Sequence, residues 1–266
     1  MNPEFLKTIS LEGKRVLISG SSRGIGFACA KYLSNLGASI FGVARGKEDL
    51  NSMYHSLYGN GHRTLAIDLS TENGIDELVS GIEEWGIPDI IIANLYIRTT
   101  PLKLTELKNT NQTKFLEDLK YLIHILPVCL PVQRQKKFGR WIGISSMVAN
   151  LGGPGQAIYS IKKNSVESLF KTLAIEEGKN QITANTVSPG IILSPGTIQN
   201  YSKELLDTYS KMNLIGRAGS EEEVAHAVAF LASPLASYIT GINIPVCAGY
   251  DLSWGIQYAL EKKLNL

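Results

Sequence analysis

A chain of 266 residues has room for one large three-layer α/β domain, and 44% hydrophobic with 19% charged residues describes a globular protein with a sizeable core. With 26 basic against 24 acidic residues the net charge is +2, which excludes a global electrostatic footprint for nucleic acid and points to small ligands. Cys29, Cys129 and Cys247 lie far apart with no Cys-x-x-Cys, which argues against a disulfide framework or a zinc site and fits a reducing, cytoplasmic compartment.

In chain order, "RVLISG" predicts a first strand, followed by the turn "SGSSRGIG" and a helix over 24–36 with Ile25, Cys29, Leu33 and Leu36 on one side. "SIFGVA" predicts a second strand followed by a helix or loop, and "RTLAID" a third followed by a helix over 74–85. "DIIIAN" predicts a fourth strand before a helix over 115–133, and "RWIGISS" a fifth before a helix over 156–177. "ITANTVS" and "INIPVC" predict the last two strands, with a helix over 221–232 between them. This alternation predicts a doubly wound parallel sheet with helices on both faces, a single domain over 1–266, and ligands at the carboxyl ends of the strands.

The connection over 191–219 is rich in Ser, Tyr, Asn and Gly and carries the amphipathic piece "YSKELLDTYSKM". Its length reads as a substrate lid, with a plain excursion as the alternative. The tail "SWGIQYALEKKLNL" reads either as a helix packing on a neighbouring subunit or as a fraying end. The basic run at Arg134 to Lys137 reads as a solvated helix end. No uninterrupted apolar span of membrane length occurs, so no membrane partner and no targeting segment are expected. The four histidines make no pair at helical ligand spacing with a flanking Glu, so no metal is expected.

Gly20, Gly24 and Gly26 permit a tight turn whose backbone N–H groups can approach a pyrophosphate at the positive end of a helix. The spacing is Gly-x-x-x-Gly-x-Gly rather than Gly-x-Gly-x-x-Gly, and a ligand-free strand-to-helix turn is the alternative. The second strand ends in Ala44 and Arg45 with no carboxylate for ribose hydroxyls. Arg45 and Arg23 can each donate charge-assisted hydrogen bonds to a 2′-phosphate, which favours NADP(H) over NAD(H); the alternative is two merely exposed arginines. Asp68 can accept from the adenine amino group or cap the following segment.

"GQAIYSIKKNSVESL" sets Lys163 four positions after Tyr159, but the tail repeats that spacing at Tyr258 and Lys262, so spacing alone does not define a site. With "SGSSRGIG", then "GISS" leading through a glycine-rich loop to Tyr159 and Lys163, then "NTVSPGII" and "GRAGSEEEVAHAVAFLAS", the chain resembles the short-chain dehydrogenases/reductases of the 3-oxoacyl-carrier-protein-reductase-like type over roughly residues 11–250. The resemblance implies a Rossmann-type sheet of about seven strands, and a homotetramer or homodimer built on the two central long helices. It implies catalytic roles for Ser146, thirteen positions before the tyrosine, for Tyr159 as acid and base, and for Lys163 in support. It also implies a cofactor site from Gly20, Ser22, Arg23, Gly24, Ile25 and Gly26, then Arg45, Asp68, Leu69 and Asn94, then Tyr159 and Lys163, and finally Pro189, Gly190, Ile192 and Ser194. The Tyr258 and Lys262 pair follows no strand ending in Ser-Ser and carries no such role.

The chemistry asks for these residue types. Adding hydride to a ketone places negative charge on its oxygen, and a phenol with a pKa near 10 is a poor proton donor at neutral pH. An ammonium on the same helix face, worth roughly 4 kcal/mol at about 4 Å and an effective dielectric near 20, is expected to lower that pKa by about a unit or more. Ser146 adds a donor where charge develops.

Three positions depart from the family pattern. Ala93, Asn94, Leu95 and Tyr96 stand where Asn-Asn-Ala-Gly is usual, so a large aromatic replaces glycine, with Arg98 as a handle for an anionic group; simple repacking of the loop is the alternative. Asp118 stands where an asparagine usually anchors a water of the proton relay. Cys247, Ala248 and Gly249 replace Asp-Gly-Gly, a change expected to concern packing. The expected activity is NADP(H)-dependent interconversion of a small-molecule carbonyl and a secondary alcohol; the alternative is a non-catalytic dinucleotide-binding or scaffold protein of the same fold. An enoyl reductase is disfavoured, because that branch generally has a longer tyrosine-to-lysine spacing.

Overall fold

A computed structural model describes residues 8–96, 99–109 and 117–252. Among them seven strands, β1 (Arg15–Ser19), β2 (Ser39–Ala44), β3 (Arg63–Ala66), β4 (Ile90–Ala93), β5 (Gly139–Ile144), β6 (Ile182–Pro189) and β7 (Asn243–Val246), form one sheet. The order is β3-β2-β1-β4-β5-β6-β7 and every pairing is parallel. The helices are α1 (Gly24–Asn35), α2 (Lys47–His55), α3 (Glu72–Trp85), α4 (Glu117–Lys136), α5 (Val148–Leu151), α6 (Ala157–Glu177), α7 (Pro195–Asn200), α8 (Lys203–Lys211) and α9 (Glu221–Ala232).

Strand periodicity explains the two layers. Val16 and Ile18 of β1 point into one core with Leu33, Leu50 and Val228, whereas Leu17 points into the other with Ile75, Leu122 and Phe170. α1, α2 and α9 therefore cover one face and α3, α4 and α6 the other. The central strands are buried on both sides, which is why they read as continuous apolar runs. Order reverses between β1 and β4, and the crevice at their carboxyl ends is the switch point where such sheets take ligands.

Most predicted boundaries stand, and the exceptions have local causes. α3 begins at Glu72 because Thr71 Oγ1 accepts a capping bond from the Gly74 N–H at 3.1 Å. α4 runs on to Lys136, beyond the expected end; Phe115 and Leu116 lie outside the described residues, as do Arg98, Tyr258, Lys262 and the tail. α9 starts where predicted, closed by a capping box between Ser220 and Glu223. The 191–219 connection holds α7 and α8, and its two ends meet beside the sheet, where the Gly219 N–H donates to the Ile191 carbonyl at 2.9 Å. Among the described residues no helix is long and apolar enough to cross a membrane.

Candidate active site

At the switch point lies a cleft of about 980 Å³, lined by residues from the β1, β2, β3, β4, β5 and β6 ends and from the 191–219 connection. Of the residues expected at the site, Gly20, Ser22, Arg23, Ile25, Arg45, Asp68, Leu69, Asn94, Ser146, Tyr159, Lys163, Pro189, Gly190, Ile192 and Ser194 line this cleft. Gly24, Gly26 and Asp118 do not.

The glycine turn is built for close approach. Gly20 and Gly24 take φ of +66° and +64°, a region that disfavours side chains. A Cβ at Gly26 would collide with the Gly20 carbonyl oxygen and stand 2.6 Å from Asn94 Nδ2, so this glycine serves the packing of α1 against the turn. Asn94 Nδ2 donates to the Gly20 carbonyl at 3.0 Å, and the Asn94 and Leu95 N–H groups each donate to Ser19 Oγ at 3.0 Å. Ser19 Oγ in turn lies 2.7 Å from Tyr121 Oη on α4. Arg23 is the N-cap of α1, with extended backbone and no side-chain capping bond, and the first turn carries no acid. These features fit a dinucleotide pyrophosphate held on backbone N–H groups.

At the adenosine end the structure modifies one expectation. Arg23 and Arg45 both line the cleft, Arg23 in an exposed ion pair with Asp49 at 2.9 Å and Arg45 beside Asp68. Asp68 Oδ1 accepts from the Ser70 N–H at 3.0 Å and the Ser70 hydroxyl at 2.7 Å, and these bonds hold its carboxyl below the usual range. Thr71, not Asp68, caps α3.

The catalytic candidates meet at the end of β5 and the start of α6. Ser146 is hydrogen-bonded to the Tyr159 hydroxyl, and its Oγ accepts from the Val148 N–H at 3.3 Å. Lys163 Nζ donates to the Ile144 carbonyl at 2.8 Å and stands 6.0 Å from the Tyr159 ring centroid. The expected lowering of the phenol pKa is corrected: burial pushes Tyr159 up to about 12, against the opposing pull of Ser146. Burial also brings Lys163 down to about 8. Both shifts have one cause, because each group loses its charged form's hydration when the layers close over it.

Asp118 sits in the first turn of α4, buried, with Oδ1 3.1 Å from Lys162 Nζ. Tyr96 packs beside Tyr159 and is bonded through its hydroxyl to Thr99. At the other end, Ser194 Oγ caps α7 by accepting from the Thr197 N–H at 3.1 Å, and Ile192 is bridged to Gly219. A Cβ at Gly190 would stand 3.0 Å from Cys247 Cα, so this glycine lets the end of β6 and the segment after β7 approach closely.

Several site residues escaped the sequence reading. Gln156, Gln199, Asn200 and Tyr201 line the cleft, and Tyr201 is near enough for its charge to bear on Tyr159. Glu167, buried one turn beyond Lys163, accepts from Ser145 Oγ at 2.6 Å and Ser188 Oγ at 3.3 Å and so braces the strand ends. The lysine doublet at 162 and 163, and a carboxylate four positions after Lys163, were the available signals.

Comparison with known proteins agrees with this architecture. The model of the family described as Enoyl-(Acyl carrier protein) reductase matches residues 20–251. The 3-oxoacyl-(acyl-carrier-protein) reductase of Vibrio cholerae is 33% identical over 243 residues, covering 91% of this chain and 98% of that protein. Its counterpart from Rickettsia prowazekii is 35% identical over 242 residues, with the same 91% and 98% coverage. A solved structure described as a short chain dehydrogenase/reductase family protein superposes with a TM-score of 0.80 at 26% identity, covering 91% of this chain and 99% of that one. Cleft, sheet order and relatives together show that the chain belongs to the short-chain dehydrogenase/reductase family, as an oxidoreductase similar to the 3-oxoacyl-(acyl-carrier-protein) reductases.

Proposed function

We propose that this chain interconverts a carbonyl and a secondary alcohol, with NADP(H) as its cofactor and Tyr159 as its acid and base. The observation that carries the reading is the convergence of Ser146, Tyr159 and Lys163 with the glycine turn in one cleft. Gly20, Ser22, Ile25, Asn94, Pro189, Gly190, Ile192 and Ser194 would hold the dinucleotide along that cleft, and Arg45 would meet a 2′-phosphate. Bound there, a reduced nicotinamide supplies hydride to the carbonyl carbon.

The remaining steps belong to the protein. As the carbon–oxygen π bond breaks and charge gathers on oxygen, the Ser146 hydroxyl donates a hydrogen bond to that oxygen. The Tyr159 O–H bond breaks and its proton passes to the same oxygen, giving the alcohol and a phenolate. Lys163, as an ammonium, stabilises that phenolate and can also hold ribose hydroxyls. A pKa pushed up by burial keeps Tyr159 protonated before the step, as a reductase requires. The four-residue Tyr159 to Lys163 spacing and the 3-oxoacyl relatives favour carbonyl over carbon–carbon double-bond reduction.

Connection 191–219 is read as the substrate lid, because Gly196, Thr197, Gln199, Asn200 and Tyr201 face the cleft. Exposed Ile123 on α4 and Ile161 and Ile175 on α6 support a homodimer or homotetramer built on those helices. Three free, buried cysteines fit a reducing cytoplasm.

A non-catalytic dinucleotide-binding scaffold is the second reading, and the Tyr96 ring against Tyr159 is what favours it. Assay of a panel of ketones with NADPH and NADH separates the two. Tyr159→Phe is expected to lower kcat by at least about 100-fold while NADPH binding, read by fluorescence titration, stays within about twofold. Full turnover in that variant overturns the mechanism, and no turnover of any carbonyl by the wild type favours the scaffold.

A further inference from the structure

α6 grips the end of β5 with three side chains spaced one turn apart. Tyr159 is hydrogen-bonded to Ser146, Lys163 Nζ donates to the Ile144 carbonyl at 2.8 Å, and Glu167 accepts from Ser145 Oγ at 2.6 Å. Residues four apart share a helix face, so one stripe of α6 meets three consecutive residues of the strand end. Glu167 is 3% exposed and Ser145 2%. The Glu167 carboxylate also accepts from Ser188 Oγ at 3.3 Å and, at longer reach, from Asn150 Nδ2 at 3.4 Å and Asn243 Nδ2 at 3.5 Å. All four partners are neutral. A buried carboxylate is normally matched with a cation. Here its acceptor capacity is filled instead by donors from the β5 end, β6, β7 and α5.

The Ser145 N–H still pairs with the Val187 carbonyl at 2.8 Å, so the chain is extended there and the side chains of Ser145 and Ser146 leave it on opposite sides. Clamping one sets the direction of the other. Beyond Ser146 the turn is held by Ser160, whose hydroxyl donates to the Val148 carbonyl at 3.0 Å, and by Asn164, whose Nδ2 donates to the Ala149 carbonyl at 3.3 Å. On the strand side the hold is Glu167. The other acceptor for the Ser145 hydroxyl is the Lys163 carbonyl at 3.4 Å, a poor substitute. We infer that Glu167 is a positioning residue: by accepting from Ser145 and Asn150, on either side of Ser146, it fixes the Ser146 hydroxyl within reach of Tyr159. The inference rests on the roles proposed above for Ser146 and Tyr159.

The test compares Glu167→Met, Ser145→Ala, their double variant and Glu167→Gln in the full-length protein. Glu167→Met and Ser145→Ala are each expected to lower kcat about tenfold while NADPH binding, read by fluorescence titration, stays within about twofold. Both remove the same bond, so the double variant is expected to lie within about twofold of the less active single variant. Glu167→Gln keeps an acceptor for Ser145 and is expected to lose less than about threefold. A second readout needs no turnover. The Val148 N–H donates to Ser146 Oγ at 3.3 Å. Its hydrogen exchange, followed by NMR, is expected to quicken about tenfold in Glu167→Met and Ser145→Ala but not in Glu167→Gln. Ser145→Ala deletes one buried hydroxyl and gives a reading even where Glu167→Met fails to fold. Losses that multiply in the double variant, a Glu167→Gln variant as impaired as Glu167→Met, or unmoved kcat and exchange in Ser145→Ala would each overturn the inference. A wild-type protein inert toward carbonyls defeats the proposed reaction, while exchange at Val148 still decides the role of Glu167.

Discussion

Tyr96 meets Tyr159 edge to face, with ring centroids 5.0 Å apart and planes at 74°. Lys163 Nζ stands 5.3 Å from the Tyr96 ring centroid, so this one aromatic borders both reactive side chains. Tyr96→Gly is expected to raise kcat/KM for bulky ketones relative to small ones by about tenfold or more, measured in paired competition assays. An unchanged ratio would mean that the ring does not limit the substrate end.

Cofactor choice is expected to follow Arg45. Both Arg45 and Arg23 line the cleft, but Arg23 also pairs with Asp49. Arg45→Asp removes a charge-assisted donor and adds a repelling carboxylate, so the NADPH-over-NADH ratio of kcat/KM is expected to fall about 100-fold. Arg23→Ala is expected to move the same ratio less than about threefold, because an exposed ion pair is worth little. The reverse ranking would assign the 2′-phosphate to Arg23.

Stability should record the buried Lys163. Its pKa is about 8 when folded against an ordinary 10.5. Between those values the unfolded chain binds a proton that the folded chain does not, so this group makes stability rise with pH, by at most about 1.4 kcal/mol per unit. Below pH 8 the folded state bears the full cost of the buried ammonium. Tyr159 acts oppositely between 10.0 and about 12, as do Cys29 and Cys129 between 9.0 and about 12. The clean window is therefore pH 8 to 9. Urea melts there should show a steeper rise for wild type than for Lys163→Met, and parallel curves would refute the assignment.

Ala248 takes φ +55°, a conformation that favours glycine, and its carbonyl accepts from the Leu214 N–H at 2.9 Å. A left-handed alanine costs about 1–2 kcal/mol, partly offset by the greater chain entropy of an unfolded glycine. Ala248→Gly is expected to stabilise the protein by about 0.5–1 kcal/mol in chemical denaturation. A loss of stability would show that the methyl group's packing outweighs the strain.

The sheet was legible because strands buried on both faces leave uninterrupted runs such as "DIIIAN", whereas the capping residues Thr71, Ser194 and Ser202 went unread and the helix starts after them were not placed. The glycine turn and the Tyr159 to Lys163 interval were legible because their geometry is set within a few residues. What depended on layers closing was not. The Arg23 to Asp49 pair joins two helices, and the Lys162 to Asp118 pair spans 44 positions. The direction of the Tyr159 shift follows from how much protein covers the ring, which no spacing encodes. The cleft-facing side of the 191–219 connection was equally hidden, since its residues are mostly exposed and obey no core periodicity.

Where that connection leaves and rejoins the body, Ile192 and Gly219 sit side by side. A segment anchored at neighbouring points behaves as an interchangeable cassette: doubling its length adds only about 0.6 kcal/mol of closure entropy. Grafting a foreign segment between those two anchors should retune which molecules are admitted without disturbing the seven-stranded frame. In this architecture, selectivity can evolve at a different pace from the chemistry beneath it.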